Sequence, residues 1–283
     1  MNAAHYVYTV LLRPAPLRAA ANAVLRGLIP AELEYRGLRL ALNPRDPVIS
    51  GALRLGLYEN DEVAWFEKLL RPGMTVIDAG ANIGLYTALA ARGVGPAGRV
   101  FALEPDPESF GYLLRTIAAN GFSCVEPFRA AASSVAGTAQ LHRNPHNRGD
   151  NRLYADPLLA DPVAVETVRL DGLLAGRGIH SFHLLKMDVQ GAEGLVLEGA
   201  GQLLANSPEA TILMEFWPAG LSRTGFSARA LLDRLLGDGF SLYEAAGALR
   251  PLRTASDCDS LVSRLPGPRY TSLIATRSPG AMP

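Results

Sequence analysis

From Met74 onward, short apolar runs alternate with stretches of helical periodicity, and that alternation confines the chain to a layered α/β fold in which βαβ units build a parallel sheet. The first unit is the most explicit. In VIDAGANIGLYTALA, Val76 to Ala90, a buried strand over Met74–Asp78 runs into a glycine turn and then into a helix of small residues over Leu85–Ala91. A second strand is predicted at Arg99–Glu104. Asp106 then caps a helix that has Pro107 at its first position, carries its pattern through Glu108–Ala119 and stops at Asn120-Gly121. Further strands fall at Cys124–Arg129, His183–Asp188, Thr211–Phe216, Phe240–Glu244 and Thr271–Thr276. Helices are expected from about Gly191 to Leu204 and over Ser227–Leu236. Seven strands with helices between them make a doubly wound sheet. Two more strands, Thr138–Arg143 and Val163–Leu170, flank the polar, turn-rich loop Asn144–Pro157.

Residues 1–60 read as an N-terminal extension lying over the edge or mouth of the sheet, and residues 61–279 as the main domain. In the extension, EYRGLRLALNP has the pattern of a small hairpin, and GLYENDEVAWFEKLL leads into a helix. Leu17–Leu28 has helical spacing suited to packing on the domain rather than on a membrane. The apolar run Tyr6–Leu12 is too short for a span or a signal segment. With 27 basic and 27 acidic residues there is no net field to gather nucleic acid or an anionic membrane. Cys124 and Cys258 stand too far apart in sequence to suggest a disulfide framework or a zinc site, and a reducing cytoplasm is the expected compartment.

In an open parallel sheet the ligand lies beyond the carboxyl ends of the strands, where the strand order reverses. Asp78, Gly80, Asn82 and Gly84 occupy the first such turn. A dinucleotide fingerprint reads G-x-G-x-x-G and leaves a helix N-terminus free for a pyrophosphate. This turn reads D-x-G-x-N-x-G. A carboxylate at the strand end repels a pyrophosphate but attracts a ligand with an ammonium and a sulfonium, and S-adenosylmethionine is such a ligand. Glu104, at the end of the second strand, is placed to accept hydrogen bonds from ribose hydroxyls.

The segments VIDAGANIGLYTALAA, VFALEPDPESFGYLL, VETVRLDGLL, LLKMDVQGAEGLVLEGA and ILMEFWP, in that order, resemble the FkbM family of S-adenosylmethionine-dependent methyltransferases. So does the approach GLYENDEVAWFEKLLRPGMTVIDAGANIG. The match runs from about Gly56 to Thr276. It implies a class I methyltransferase (Rossmann-like) fold of seven strands with the last antiparallel, and O-methylation of sugars or other hydroxylated natural products. Where the family usually has K-[IM]-D-[VI]-E-G-x-E, this chain has Lys186, Met187, Asp188, Val189, Gln190, Gly191, Ala192 and Glu193. An amide therefore replaces a carboxylate at Gln190.

Methyl transfer to a hydroxyl requires oxygen, methyl and sulfur in line, and a group that takes the hydroxyl proton. Asp188 is the leading base and Glu193, in the first turn of the next helix, the second. Lys186 lies two residues before Asp188 on the same side of its strand, placed to pair with an acid. His146, with Arg143, Arg148, Asp150, Asn151 and Arg152 around it, sits in the longest polar loop, a candidate for holding a small-molecule or glycan acceptor. Tyr58 and Glu59 are expected to close over the cofactor. Asp188 and Glu215 offer oxygens to a divalent cation, the less favoured alternative. The other four histidines are expected to be structural, as are Trp65 and Phe66 in the core. Two rivals stand beside this reading. A nicotinamide-dependent oxidoreductase would need a G-x-G-x-x-G turn that is absent, and a non-catalytic nucleotide-binding module is raised by Gln190. Nothing in the sequence fixes the oligomeric state or the acceptor.

Overall fold

The computed structural model describes residues 27–144, 147–156 and 159–282. The helical pattern at Leu17–Leu28 falls almost wholly outside them, as does the apolar run Tyr6–Leu12. The predicted hairpin is present as β1 (Glu32–Tyr35) and β2 (Leu38–Ala41), turning through Arg36 and Gly37, both at positive φ. Helices α1 (Ile49–Arg54) and α2 (Asn60–Leu69) follow.

The central sheet begins with β3 (Thr75–Ala79), α3 (Leu85–Val94), β4 (Arg99–Leu103), α4 (Pro107–Asn120) and β5 (Val125–Phe128). Asp106 caps α4 as expected, accepting the Ser109 amide at 3.0 Å, a bond that contributes about 1 kcal/mol, and Gly121 ends the helix in the left-handed conformation. Next come β6 (Ala131–Ala132), β7 (Gly137–Arg143) and β8 (Ala160–Val168), which form a separate three-stranded sheet. Then follow α5 (Leu170–Ala175), β9 (Leu184–Met187), α6 (Glu193–Gly199), α7 (Gly201–Ala205), β10 (Thr211–Phe216), α8 (Pro218–Arg223) and α9 (Ala228–Gly237). The chain closes with β11 (Ser241–Ala246), β12 (Ala248–Leu252), α10 (Ala255–Arg264) and β13 (Thr271–Thr276).

The strand order is β12-β11-β13-β10-β9-β3-β4-β5, with β13 antiparallel to both neighbours. This is the class I methyltransferase arrangement, doubly wound from β3. The sheet has eight strands where seven were expected. β12 is the addition, folded back on β11 through Gly247. Its ALRPL carries Pro251, which argues against a strand in sequence but is tolerated at the outer edge of a sheet, where β12 lies. The single helix expected over Gly191–Leu204 is two, broken at Ala200. There Gly199 lies so close to the Ser133 carbonyl that a Cβ would come within 2.0 Å of its oxygen.

Period-two alternation splits the interior into two apolar layers. Ile77, Phe101, Leu185 and Met214 face α5 to α10. Val76, Val100, Leu184 and Leu213 face α1, α2, α3 and the β1–β2 hairpin. The hairpin lies along α4, where the Ala41 amide donates to Thr116 Oγ1 and Asn120 exchanges hydrogen bonds with the Arg39 backbone. Among the described residues no helix is long and apolar enough to cross a membrane.

Candidate functional site

The carboxyl ends of β3, β4, β9 and β10 converge on two adjoining cavities. At the end of β3 the chain turns through Gly80 (φ 84°), Asn82 (φ 50°) and Gly84 (φ 91°) into α3. The Gly80 and Ala81 amides donate to the Leu103 carbonyl, tying the turn to β4. A Cβ on Gly80 would lie 2.0 Å from the carbonyl oxygen of Asp188, so this glycine allows the ends of β3 and β9 to touch. Gly84 is needed for a different reason. Its missing Cβ leaves room for Leu113 and Thr116 of α4, and it does not reach the cavity wall.

Glu104 is buried at the wall of the first cavity. Its two carboxylate oxygens accept the Asn82 and Asp106 amides, each at 2.8 Å. Burial pushes this carboxyl up to about 8, against the pull of those two amides. Asp78 is fully buried beneath the turn instead of on the wall. One of its oxygens accepts the Thr87 hydroxyl at 2.6 Å and the other has no partner. In the β3–β9 register Asp78 stands opposite Lys186. Lys186, only 2% exposed, lies 3.5 Å from Asp188 Oδ2 and 4.4 Å over the ring of Tyr86. It thus pairs with an acid as its place on the strand predicts. Burial opposes its charge, but Asp188, Asp78, Glu62 and Glu59 together raise its pKa.

The first cavity encloses about 800 Å³ including its mouth, and its wall includes Gly80, Asn82, Glu104, Asn151, Lys186, Asp188 and Gln190. The second, of about 790 Å³, is walled by Glu59, Asp150, Arg152, Glu215, Trp217 and Tyr270. Ile49, Tyr58, Gly149, Asp188 and Gln190 line both. Tyr58 lines both cavities. Glu59 opens only onto the second cavity, from a left-handed backbone at the start of α2 (φ 41°), and accepts the Tyr86 hydroxyl at 2.7 Å. Burial first, then the nearby Glu62 and Asp188, push it up to about 8.

Glu193, the second candidate base, lines neither cavity. It is fully buried, and its Oε1 accepts the Val189 and Gly191 amides at 3.3 Å, clamping the loop that follows β9. His146 lies outside the described residues. Arg143, at the end of β7, and the two arginines of the polar loop are committed to carboxylates: Arg143 to Asp161, Arg148 to Glu108 at 3.1 Å, and Arg152 to Asp150 and Asp156. Arg152 also lies over the Trp217 ring, 5.0 Å from its centroid.

Asp188 and Glu215 do not converge on an open point. The Gln190 amide lies between them, donating to Asp188 Oδ1 at 2.8 Å and to Glu215 Oε1 at 3.2 Å. An N–H donor facing both oxygens stands where a cation would have to bind. Among the described residues no three or more His, Cys, Asp or Glu side chains are grouped to hold a metal ion. The first cavity does fit S-adenosylmethionine. Glu104 keeps acceptor capacity toward it, and Asn151, on its wall, has a buried amide nitrogen without a protein partner.

Ile49, Tyr86, Trp217 and Tyr270 were not foreseen as lining residues. Trp217 follows directly on β10, where the same strand-end rule that located Glu104 would have found it.

The sequence profile described as Methyltransferase FkbM domain matches residues 78–242. Methyltransferase sdnD of Sordaria araneosa is 30% identical over 203 residues, spanning 59% of this chain and 73% of that protein. The 2-O-methyltransferase NoeI of Sinorhizobium fredii is 27% identical over 184 residues, again 59% of this chain and 73% of its own. The 31-O-demethyl-FK506 methyltransferase FkbM of Streptomyces tacrolimicus is 31% identical over 159 residues, 46% of this chain and 60% of that one.

Proposed function

The chain belongs to the FkbM family of S-adenosylmethionine-dependent methyltransferases, and from that premise we propose that it methylates a hydroxyl group of a sugar or of a secondary metabolite. The observation that carries this reading is the pair of adjoining cavities with Asp188 on their common wall. The first is assigned to the cofactor, held by Gly80, Asn82, Glu104 and Asn151, and the second to the acceptor. The names of two relatives, a 2-O-methyltransferase and a 31-O-demethyl-FK506 methyltransferase, support oxygen as the methylated atom.

When bound, S-adenosylmethionine supplies a methyl group on a positively charged sulfur. Asp188 accepts a hydrogen bond from the acceptor hydroxyl and takes its proton as the carbon–oxygen bond forms and the carbon–sulfur bond breaks. Lys186 stands 3.5 Å from Oδ2 of Asp188 and steadies its carboxylate by charge attraction. Glu104 fixes the turn that faces the cofactor through its bonds to Asn82 and Asp106. Asp78 supports that turn from below, and Glu193 holds the loop that carries Asp188 and Gln190. In the second cavity Glu59, Glu215 and Trp217 offer hydrogen-bond acceptors and an aromatic face to a hydroxylated molecule. The arginine on its wall, Arg152, is paired with Asp150 and Asp156.

Calorimetry tests the cofactor. S-adenosylhomocysteine should bind the protein and NAD should not, and the opposite result removes the assignment. Transfer from methyl-labelled S-adenosylmethionine to neutral hydroxylated acceptors should then yield an ether. Asp188→Asn should keep cofactor binding and lose on the order of 100-fold or more in rate. Label found on an amine, or as the methyl ester of a carboxylate, would overturn methylation of a hydroxyl.

A further inference from the structure

Asp188 stands among more carboxyl groups than cationic ones. Lys186 stands on its own strand, Asp78 on β3, Glu59 and Glu62 at the start of α2, Glu193 on α6 and Glu215 on β10, with the hydroxyls of Tyr58 and Tyr270 nearby. Four of these carboxyl groups, Asp188, Asp78, Glu62 and Glu59, act on the Lys186 ammonium. Two neighbouring carboxylates at a dry wall repel, and the repulsion is relieved either by a proton on one of them or by a donor set between them. Gln190 is such a donor. Each hydrogen of its amide nitrogen has its own acceptor, Asp188 Oδ1 at 2.8 Å and Glu215 Oε1 at 3.2 Å.

The backbone shows that this placement is held against a local cost. Gln190 has φ 52°, in the left-handed region, which a residue with a Cβ enters only at a cost. The residue that the resembling family usually has here, a glutamate, has no N–H when ionised and could donate to neither carboxyl.

We propose that Gln190 is a positioning residue for Asp188, its amide bridging Asp188 and Glu215 so that the Asp188 carboxylate is held at the wall common to both cavities. This deepens the proposed function and rests on its reading of Asp188 as the acceptor of the hydroxyl proton. One oxygen of Asp188 is committed to the amide, the other stands beside Lys186, and the remaining lone pairs face the cavities. Glu215 is drawn into the same hydrogen-bonded unit, although it comes from a different strand.

The test uses the full chain labelled with ¹³C at the Asp and Glu carboxyl carbons. The resonances of Asp188 and Glu215 are identified by their loss in Asp188→Asn and Glu215→Gln. In Gln190→Leu, which keeps the bulk and removes the donor, the Asp188 and Glu215 carboxyl resonances at neutral pH should both move from their parental positions, since each carboxyl loses a hydrogen bond. Gln190→Glu, which lacks the donor when ionised, should move both as well. Unchanged resonances in both variants overturn the bridge. Should neither variant fold, the parent decides the matter. The ¹⁵N-labelled side-chain amide of Gln190 should show close contact to both carboxyl carbons, and an amide that contacts only one or neither overturns the proposal. Binding of S-adenosylhomocysteine by the parent protein is measured separately, so the functional reading and the bridge fail independently.

Discussion

Glu104 and Asp78 both end parallel strands on the ligand side, yet they do different work. Glu104 opens onto the first cavity while both its oxygens hold backbone amides, so it shapes the turn and faces the ligand at once. Asp78 is sealed beneath that turn, bonded to Thr87 and opposite Lys186. Replacing Glu104 by Ala should weaken binding of S-adenosylhomocysteine by about 1–3 kcal/mol through lost hydrogen bonds to a charged or buried acceptor. Asp78→Ala should act first on stability, because Lys186 loses a counter-charge in a dry environment. Calorimetric titration and thermal melting of the two variants separate these effects. Equal losses of affinity with no change in melting for Asp78→Ala would contradict the placement. The sequence shows that acids stand at these strand ends, because strand, turn and helix are each marked locally. It does not show how deep each acid lies. Depth depends on which face of β3 the strand turns toward α3, where Asp78 meets the Thr87 hydroxyl.

At the level of elements, the β3–α3 turn and the loop after β9 meet in close backbone contact. Gly80 adopts φ 84° and sits against the Asp188 backbone, so Gly80→Ala meets both a disfavoured conformation and an immovable carbonyl. It should destabilise the protein by roughly 2–4 kcal/mol and abolish cofactor binding. Urea denaturation with calorimetry checks this, and a variant with parental stability and affinity would show that the junction gives way. The elements of the parallel sheet were legible because each strand is a short apolar run bounded by turn residues. The parts that were not legible depend on partners remote in sequence. β12 is a strand only because β11 offers it an edge, and the helix after β9 breaks where α6 meets the Ser133 backbone. The second cavity gathers Glu59, Asp150, Glu215 and Tyr270 from four separate segments, and no spacing rule links them.

For the molecule as a whole, the buried acids set the response to pH. Burial is the leading cause in each case, raising Asp46 to about 6, Glu193 to about 7, and Glu59 and Glu104 to about 8. In the unfolded chain these groups release their protons near 4. Between about pH 5 and 8 the folded state therefore holds more protons than the unfolded one. Stability from these groups is complete below their unfolded values and is lost as pH rises through their folded ones. Scanning calorimetry of the ligand-free protein should show its melting temperature falling from pH 5 to pH 8. A flat or rising profile would mean that these carboxyls are not as buried in solution. Five residues serve as a partition common to both chambers. Two molecules meeting across so thin a partition are nearly one molecule in shape. A single compound that joins an adenosine moiety to a hydroxylated moiety by a short tether would then meet its second set of contacts at a local concentration fixed by the tether, and would act as a bisubstrate inhibitor stronger than either half alone.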